Sequence, residues 1–120
     1  MSKKEILSSI LKDVRSLGDV EGCAIVTRDG LLVASELGSV DAETFAAMSA
    51  TMFGAAETAV TELSKGLVER VLVESGKAKM ILCGAGSNSL LVVMVNSSAN
   101  VGLVLVEMKK AAAKIEEEIK

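Results

Sequence analysis

From Thr44 to Ala56 the chain runs thirteen residues without a charge, inside a segment whose periodicity predicts a helix over about Asp41 to Lys65. A surface helix of a water-soluble domain needs a polar face. This one has almost none, so it has to pack on two sides. At about 100° per residue, Phe45, Met48, Ser49, Met52, Phe53, Ala56, Ala59, Val60 and Leu63 fall on one bulky stripe, expected to face a core. The opposite side carries Ala47, Ala50, Thr51, Gly54, Thr58 and Thr61. Small residues at that spacing let another backbone approach closely. A chain of 120 residues has little room for a further buried layer of its own. The small-residue side is therefore expected to meet a second subunit, with a helix sandwiched inside one domain as the alternative.

The length fits one domain, residues 1–120, that can bury an ordinary core without a metal or disulfide. Half of the residues are hydrophobic, yet no apolar run reaches the ~18 residues of a membrane span, so the excess points to an interface and not to membrane insertion. A formal net charge of −3 and two Phe with neither Trp nor Tyr argue against nucleic acid, which calls for a basic face and stacking aromatics. Cys23 and Cys83 lie in apolar, strand-like runs, where buried reduced thiols are the default. With no leader pattern ahead of Lys3 the expectation is a cytoplasmic protein.

Lys3 to Leu17 forms an amphipathic helix with Ile6, Leu7, Ile10, Leu11, Val14 and Leu17 on one stripe. Cys23 to Arg28 and Leu31 to Ser35 flank Asp29-Gly30, a strong hairpin signal. After the central helix, Val68 to Glu74, Ala78 to Cys83 and Ser89 to Asn96 are joined by short turns, which implies an antiparallel meander. A last helix runs from about Asn100 to Ile119. Ala24 to Val26 and Leu90 to Val95 are apolar at consecutive positions, so both of their faces are covered and they are central strands. The expectation is an α/β chain of the α+β type: a five-stranded, mostly antiparallel sheet of order 2-1-5-4-3. The long helix covers one face and the two terminal helices the other. That layout leaves one helix face and the edge strand Val68 to Glu74 free. Pairing this edge across a two-fold axis, through Val68, Arg70, Val71, Leu72 and Val73, would bring the Ala47, Ala50, Thr51, Gly54, Thr58 and Thr61 faces together as well.

The order of elements, the hairpin Gly22 to Ser35 with Asp29-Gly30, and Asn100-Val101-Gly102-Leu103 opening a helix that continues to Lys109-Lys110-Ala111-Ala112 together resemble the Roadblock family, over about Lys3 to Glu117. Its members include dynein light chains of the Roadblock type, scaffold subunits that hold lysosomal GTPases, and MglB-like proteins that activate a Ras-like GTPase. The resemblance implies a homodimer with a continuous sheet and a small Ras-like GTPase as partner. It also implies a GTPase-binding surface on the central helix at Ala46, Ala47, Met48, Thr51 and Ala55. No family motif designates a catalytic residue.

The chemistry of the residues agrees with a regulator. There is no histidine, hence neither the commonest general base nor the commonest metal ligand, and two isolated cysteines do not make a zinc site. No catalytic, cofactor-binding or metal-binding residue is expected, and no cofactor. Gly84 to Ser89 superficially resembles a phosphate loop, but such loops open a helix and this one opens a strand. The sequence is read as a non-catalytic homodimeric scaffold or regulator of a small Ras-like GTPase that acts by ordering the GTPase's own switch loops. Arg28 or Arg70 as a supplied arginine finger is the sharper variant. A tethering module without GTPase regulation and a small-ligand sensor are the alternatives.

Overall fold

The computed structural model describes the whole chain, residues 1–120. In order it forms α1 (Lys3–Arg15), β1 (Val20–Thr27), β2 (Leu32–Glu36), α2 (Ala42–Glu62), β3 (Arg70–Glu74), β4 (Ala78–Gly84), β5 (Ser89–Asn96) and α3 (Val101–Ile119). The strands make one sheet of order β2-β1-β5-β4-β3 in which every adjacent pair is antiparallel.

Each helix begins on a side chain that accepts a free backbone N–H. Ser2 and Glu5 exchange hydrogen bonds as a capping box on α1, Asp41 caps α2 through Thr44 N, and Asn100 caps α3 through Leu103 N.

Alternation along the strands sorts the core into two layers. Cys23, Ile25, Ile81, Leu91, Val93 and Val95 point to α1 and α3, where they meet Leu7, Leu11, Val14, Val104, Met108 and Ile115. Ala24, Val26, Leu82, Leu90 and Val92 point the other way, beneath Ala46 and Phe53 of α2. Phe53 is 1% exposed; cutting it to Ala would cost about 3–5 kcal/mol.

The long helix covers less of its face than the sequence predicts. It lies on β1 and β2, and Val71, Met80 and Met94, toward the β3 side of that face, stay half-buried. The element bounds also move. β1 begins at Val20 because Gly22, at a register shift opposite Met94, is accommodated within the strand. A Cβ there would sit 3.0 Å from the Met94 methyl and 3.2 Å from the Glu36 carbonyl oxygen. α2 stops at Glu62, short of Lys65, as Ser64 turns to φ 54° and Gly66 to φ 94°. β3 begins at Arg70 opposite Cys83, which leaves Val68 and Glu69 outside the ladder.

Candidate functional site

The face of α2 is set by what its small residues touch. Gly30, in the β1–β2 turn, has φ 96°, and a Cβ on it would lie 3.4 Å from Ala47 Cα and 3.9 Å from Ala50 Cβ. The alanines thus admit the backbone of the chain's own hairpin. Ala46 is 0% and Ala50 7% exposed. This corrects two expectations: Ala50 belongs to the contact between α2 and the hairpin, and Ala46, under the helix, offers no surface to a partner. The bulky stripe is rotated correspondingly. Ser49 and Phe53 point inward, whereas Met48 at 57% and Leu63 at 66% exposure face outward. Projection by residue size errs because α2 packs here through its smallest side chains.

What remains outward is apolar in effect. Thr51 Oγ1 donates to the Ala47 carbonyl at 2.8 Å and Thr58 Oγ1 to the Gly54 carbonyl at 3.1 Å. Both hydroxyls are satisfied within the helix, so the pair presents methyl groups. A Cβ on Gly54 would meet nothing within 4 Å. Ala55 and Thr61 are exposed and Ala47 is half-exposed.

The second surface is the edge of the sheet. β3 pairs only with β4, so one row of its backbone N–H and C=O groups has no partner strand. Val71 and Val73 are half-buried, Arg70 is exposed, Leu72 is 46% exposed, and Val68 packs at the margin of the α2-side core. Such an edge is a template for another strand.

A further contact, at the end of β1, has no signal in local sequence pattern. Arg28 Nη1 donates to Glu57 Oε2 at 2.8 Å and Nη2 to the Gly86 carbonyl at 3.3 Å. The guanidinium also lies 5.4 Å from the centre of the Phe53 ring. One side chain thus joins β1, α2 and the β4–β5 turn. Its partners lie 29 and 58 positions away, beyond any local pattern. A signal existed nonetheless: Arg28 is the only cation between Ser16 and Ser64. Held in this way, Arg28 is not projected toward a partner as an arginine finger would be. The Gly84 to Ser89 turn closes with Ala85 N donating to the Ser89 carbonyl at 2.9 Å and leads into β5.

The thiols are inert. Cys23 is buried and its thiol donates to the Leu11 carbonyl at 3.3 Å. Burial, reinforced by the negative charge of Glu36, pushes it up to about 12. Burial pushes Cys83 up to about 11 against the opposing influence of Arg70. Protonated thiols are poor nucleophiles and ligands. No three histidine, cysteine or carboxylate side chains converge as a metal site. The two widest recesses, about 430 and 470 Å³, are open to solvent, one along Ser35 to Val40 and the other on the outer side of α1. No helix is long and apolar enough to cross a membrane.

A family model described as the Roadblock/LC7 domain matches residues 7–95. In sequence the chain is similar to an uncharacterized protein of Methanocaldococcus jannaschii, 37% identical over 111 residues that span 92% of this chain and 96% of the relative. In structure it is similar to MglB of Myxococcus xanthus, with a TM-score of 0.89 and 18% identity over 98% of this chain and 90% of that one. A solved structure described as MglB with tetrameric arrangement gives a TM-score of 0.90 at 17% identity, again over 98% and 90%. At these identities the likeness is one of fold.

Proposed function

The chain belongs to the Roadblock/LC7 family, and from that premise we propose that it is a non-catalytic homodimeric regulator whose paired α2 helices form a platform for a small Ras-like GTPase. The observation that carries this reading is the outward face of α2, where Thr51, Gly54, Ala55 and Thr58 offer neither a charge nor an unsatisfied hydroxyl. Uncharged surface of this kind is usually covered.

In the proposed dimer the β3 edges, Arg70 to Val73, pair about a two-fold axis and extend the sheet, with Val68 beside them. The outward residues of α2, namely Ala47, Thr51, Gly54, Thr58 and Thr61, lie at or beside the axis. The structural neighbour described as MglB with tetrameric arrangement supports self-association in general, and the half-covered strip of Val71, Met80 and Met94 favours this part of the sheet for it. The GTPase docks across the two helices near Ala47, Met48, Thr51 and Ala55. Stimulation of hydrolysis, where it occurs, comes from ordering the GTPase's own switch loops, because loop order places catalytic groups. Single-turnover GTP hydrolysis by a purified small Ras-like GTPase, with and without this protein, tests the reading. Acceleration by the native chain that is lost in Gly54→Leu supports a platform built on paired helices. Unchanged hydrolysis together with tight binding favours a passive scaffold, and absence of binding removes the GTPase.

A further inference from the structure

At the mouth of the β3–β4 turn, Ser75 N donates to the Ala78 carbonyl at 2.9 Å. In an antiparallel ladder directly opposite residues exchange hydrogen bonds at every second pair. In the register of β3 on β4, the next bonded pairs are then Val73 with Met80 and Val71 with Leu82. The β4–β5 turn gives the same parity. There Ala85 N donates to the Ser89 carbonyl, so Cys83 and Ile81 bond to β5 and leave Leu82 and Met80 to β3. The backbone N–H and C=O groups of Arg70, Leu72 and Glu74 therefore form the free row of the edge. Their side chains share one face as well, opposite Cys83, Ile81 and Lys79 on the α3 side of the sheet. All three are exposed, Leu72 at 46%.

A second copy that extends the sheet about a two-fold axis must bond through this same row, so the axis passes one of the five residues of β3. An axis at Arg70 or at Glu74 sets like charges directly opposite each other, which is unfavourable. An axis at Val71 leaves Arg70 facing the partner's Leu72 and carries Glu74 past the end of the partner strand. An axis at Val73 leaves Arg70 facing the partner's Gly76, in the turn. Only an axis at Leu72 pairs the whole strand with itself: Leu72 meets the partner's Leu72, Val71 meets the partner's Val73, and Arg70 meets the partner's Glu74 on both sides of the axis. Within its own chain Arg70 enters no ion pair, and Glu74 reaches only Lys79, at 3.9 Å. We infer that β3 is a self-complementary edge, in which Arg70 and the partner's Glu74 set the register about Leu72 and select a second copy of this chain as the occupant. The inference rests on the dimer proposed above and adds its register and the charges that choose it. An edge that read Arg-x-Leu-x-Arg or Glu-x-Leu-x-Glu would oppose its own copy, so the order of the two charges carries the selectivity.

The test is a charge exchange read by sedimentation at low salt, with the native protein, Arg70→Glu, Glu74→Arg, and an equimolar mixture of the two variants. Each variant alone sets like charges against each other at both sites and is expected to self-associate about tenfold more weakly than the native protein. In the mixture, a pair made of one chain of each kind has opposite charges at both sites. It is expected to regain the dimer mass at concentrations where either variant alone is dissociated, and added salt should narrow the difference. Recovery on mixing also shows that both variants are folded. A native dimer whose variants associate as it does, or whose variants stay dissociated when mixed, overturns the register and leaves the dimer standing. A native protein that sediments as a single chain overturns the dimer reading, and the inference with it.

Discussion

Arg28 reaches from the end of β1 to Glu57 on α2, guanidinium to carboxylate at 2.8 Å, and this pair fixes the C-terminal half of α2 to the sheet. Both side chains are partly solvated, at 32% and 43% exposure, which limits the electrostatic contribution. The contacts to Phe53 and to the Gly86 carbonyl raise it. Arg28→Ala is expected to lower stability by about 1–2 kcal/mol, read as a shift of the denaturant midpoint at constant slope. Arg28→Lys keeps the charge and loses the second hydrogen bond. Any stimulation of a GTPase should survive in the lysine variant, whereas loss of a true arginine finger would cost on the order of a thousandfold.

Gly84 faces the same guanidinium, and a Cβ on it would lie 2.9 Å from Arg28 Nη2. Gly84→Ala is therefore expected to push the guanidinium off its partners and destabilise the native chain by about 1 kcal/mol. In the Arg28→Ala background the same change should be close to neutral. Additive costs in the double-mutant cycle would show that Gly84 is needed for some other reason.

The cysteines set an alkaline limit. Cys23 is raised from 9.0 to about 12 and Cys83 to about 11 in the folded chain, so the folded state holds its thiol protons more tightly than the unfolded state. Their contribution is complete below about pH 9 and declines as pH rises through the folded values. Denaturation of the native protein and of Cys23→Ala, followed from pH 8 to 11 (about three units), should show the steeper loss in the native protein. At neutral pH a thiol reagent is expected to react with the unfolded chain and hardly at all with the folded one.

Thr58 separates folding from association. Its hydroxyl bond to the Gly54 carbonyl is local, and Thr58→Val retains its shape, so neither stability nor self-association should change by more than about 0.5 kcal/mol. Thr58→Lys leaves the isolated chain as stable but places a charge on the outward face of α2, and analytical ultracentrifugation should find its self-association weakened at least tenfold. Equal association by the lysine variant would remove this face from the interface.

Much of the fold was legible because its signals are local or binary. Ser89–Asn96 was read to the residue as β5, since an apolar run between Gly84–Asn88 and a capping Asn100 admits little else. The sheet order followed from which strands lack a polar face. The rotation of α2 was not legible, because the hairpin backbone at Gly30 selects alanine beneath the helix while a projection weighs size. The Arg28 contact was not legible either, since pairing of β1, α2 and the β4–β5 turn depends on tertiary closure. The expected first strand, Cys23 to Arg28, starts too late, because Gly22 lies inside β1, where the sheet needs its missing side chain beside Met94.

Sedimentation of the native chain and of Gly54→Leu at micromolar concentration decides whether the chain forms a dimer built on α2 and the β3 edge. The open space around Gly54 and the better helix propensity of leucine leave the fold of the variant intact, so only association should respond. The native protein is expected to sediment with the mass of two 12.4 kDa chains, and the variant to dissociate at concentrations where the native protein does not. A native protein that sediments as a single chain throughout would contradict the dimer.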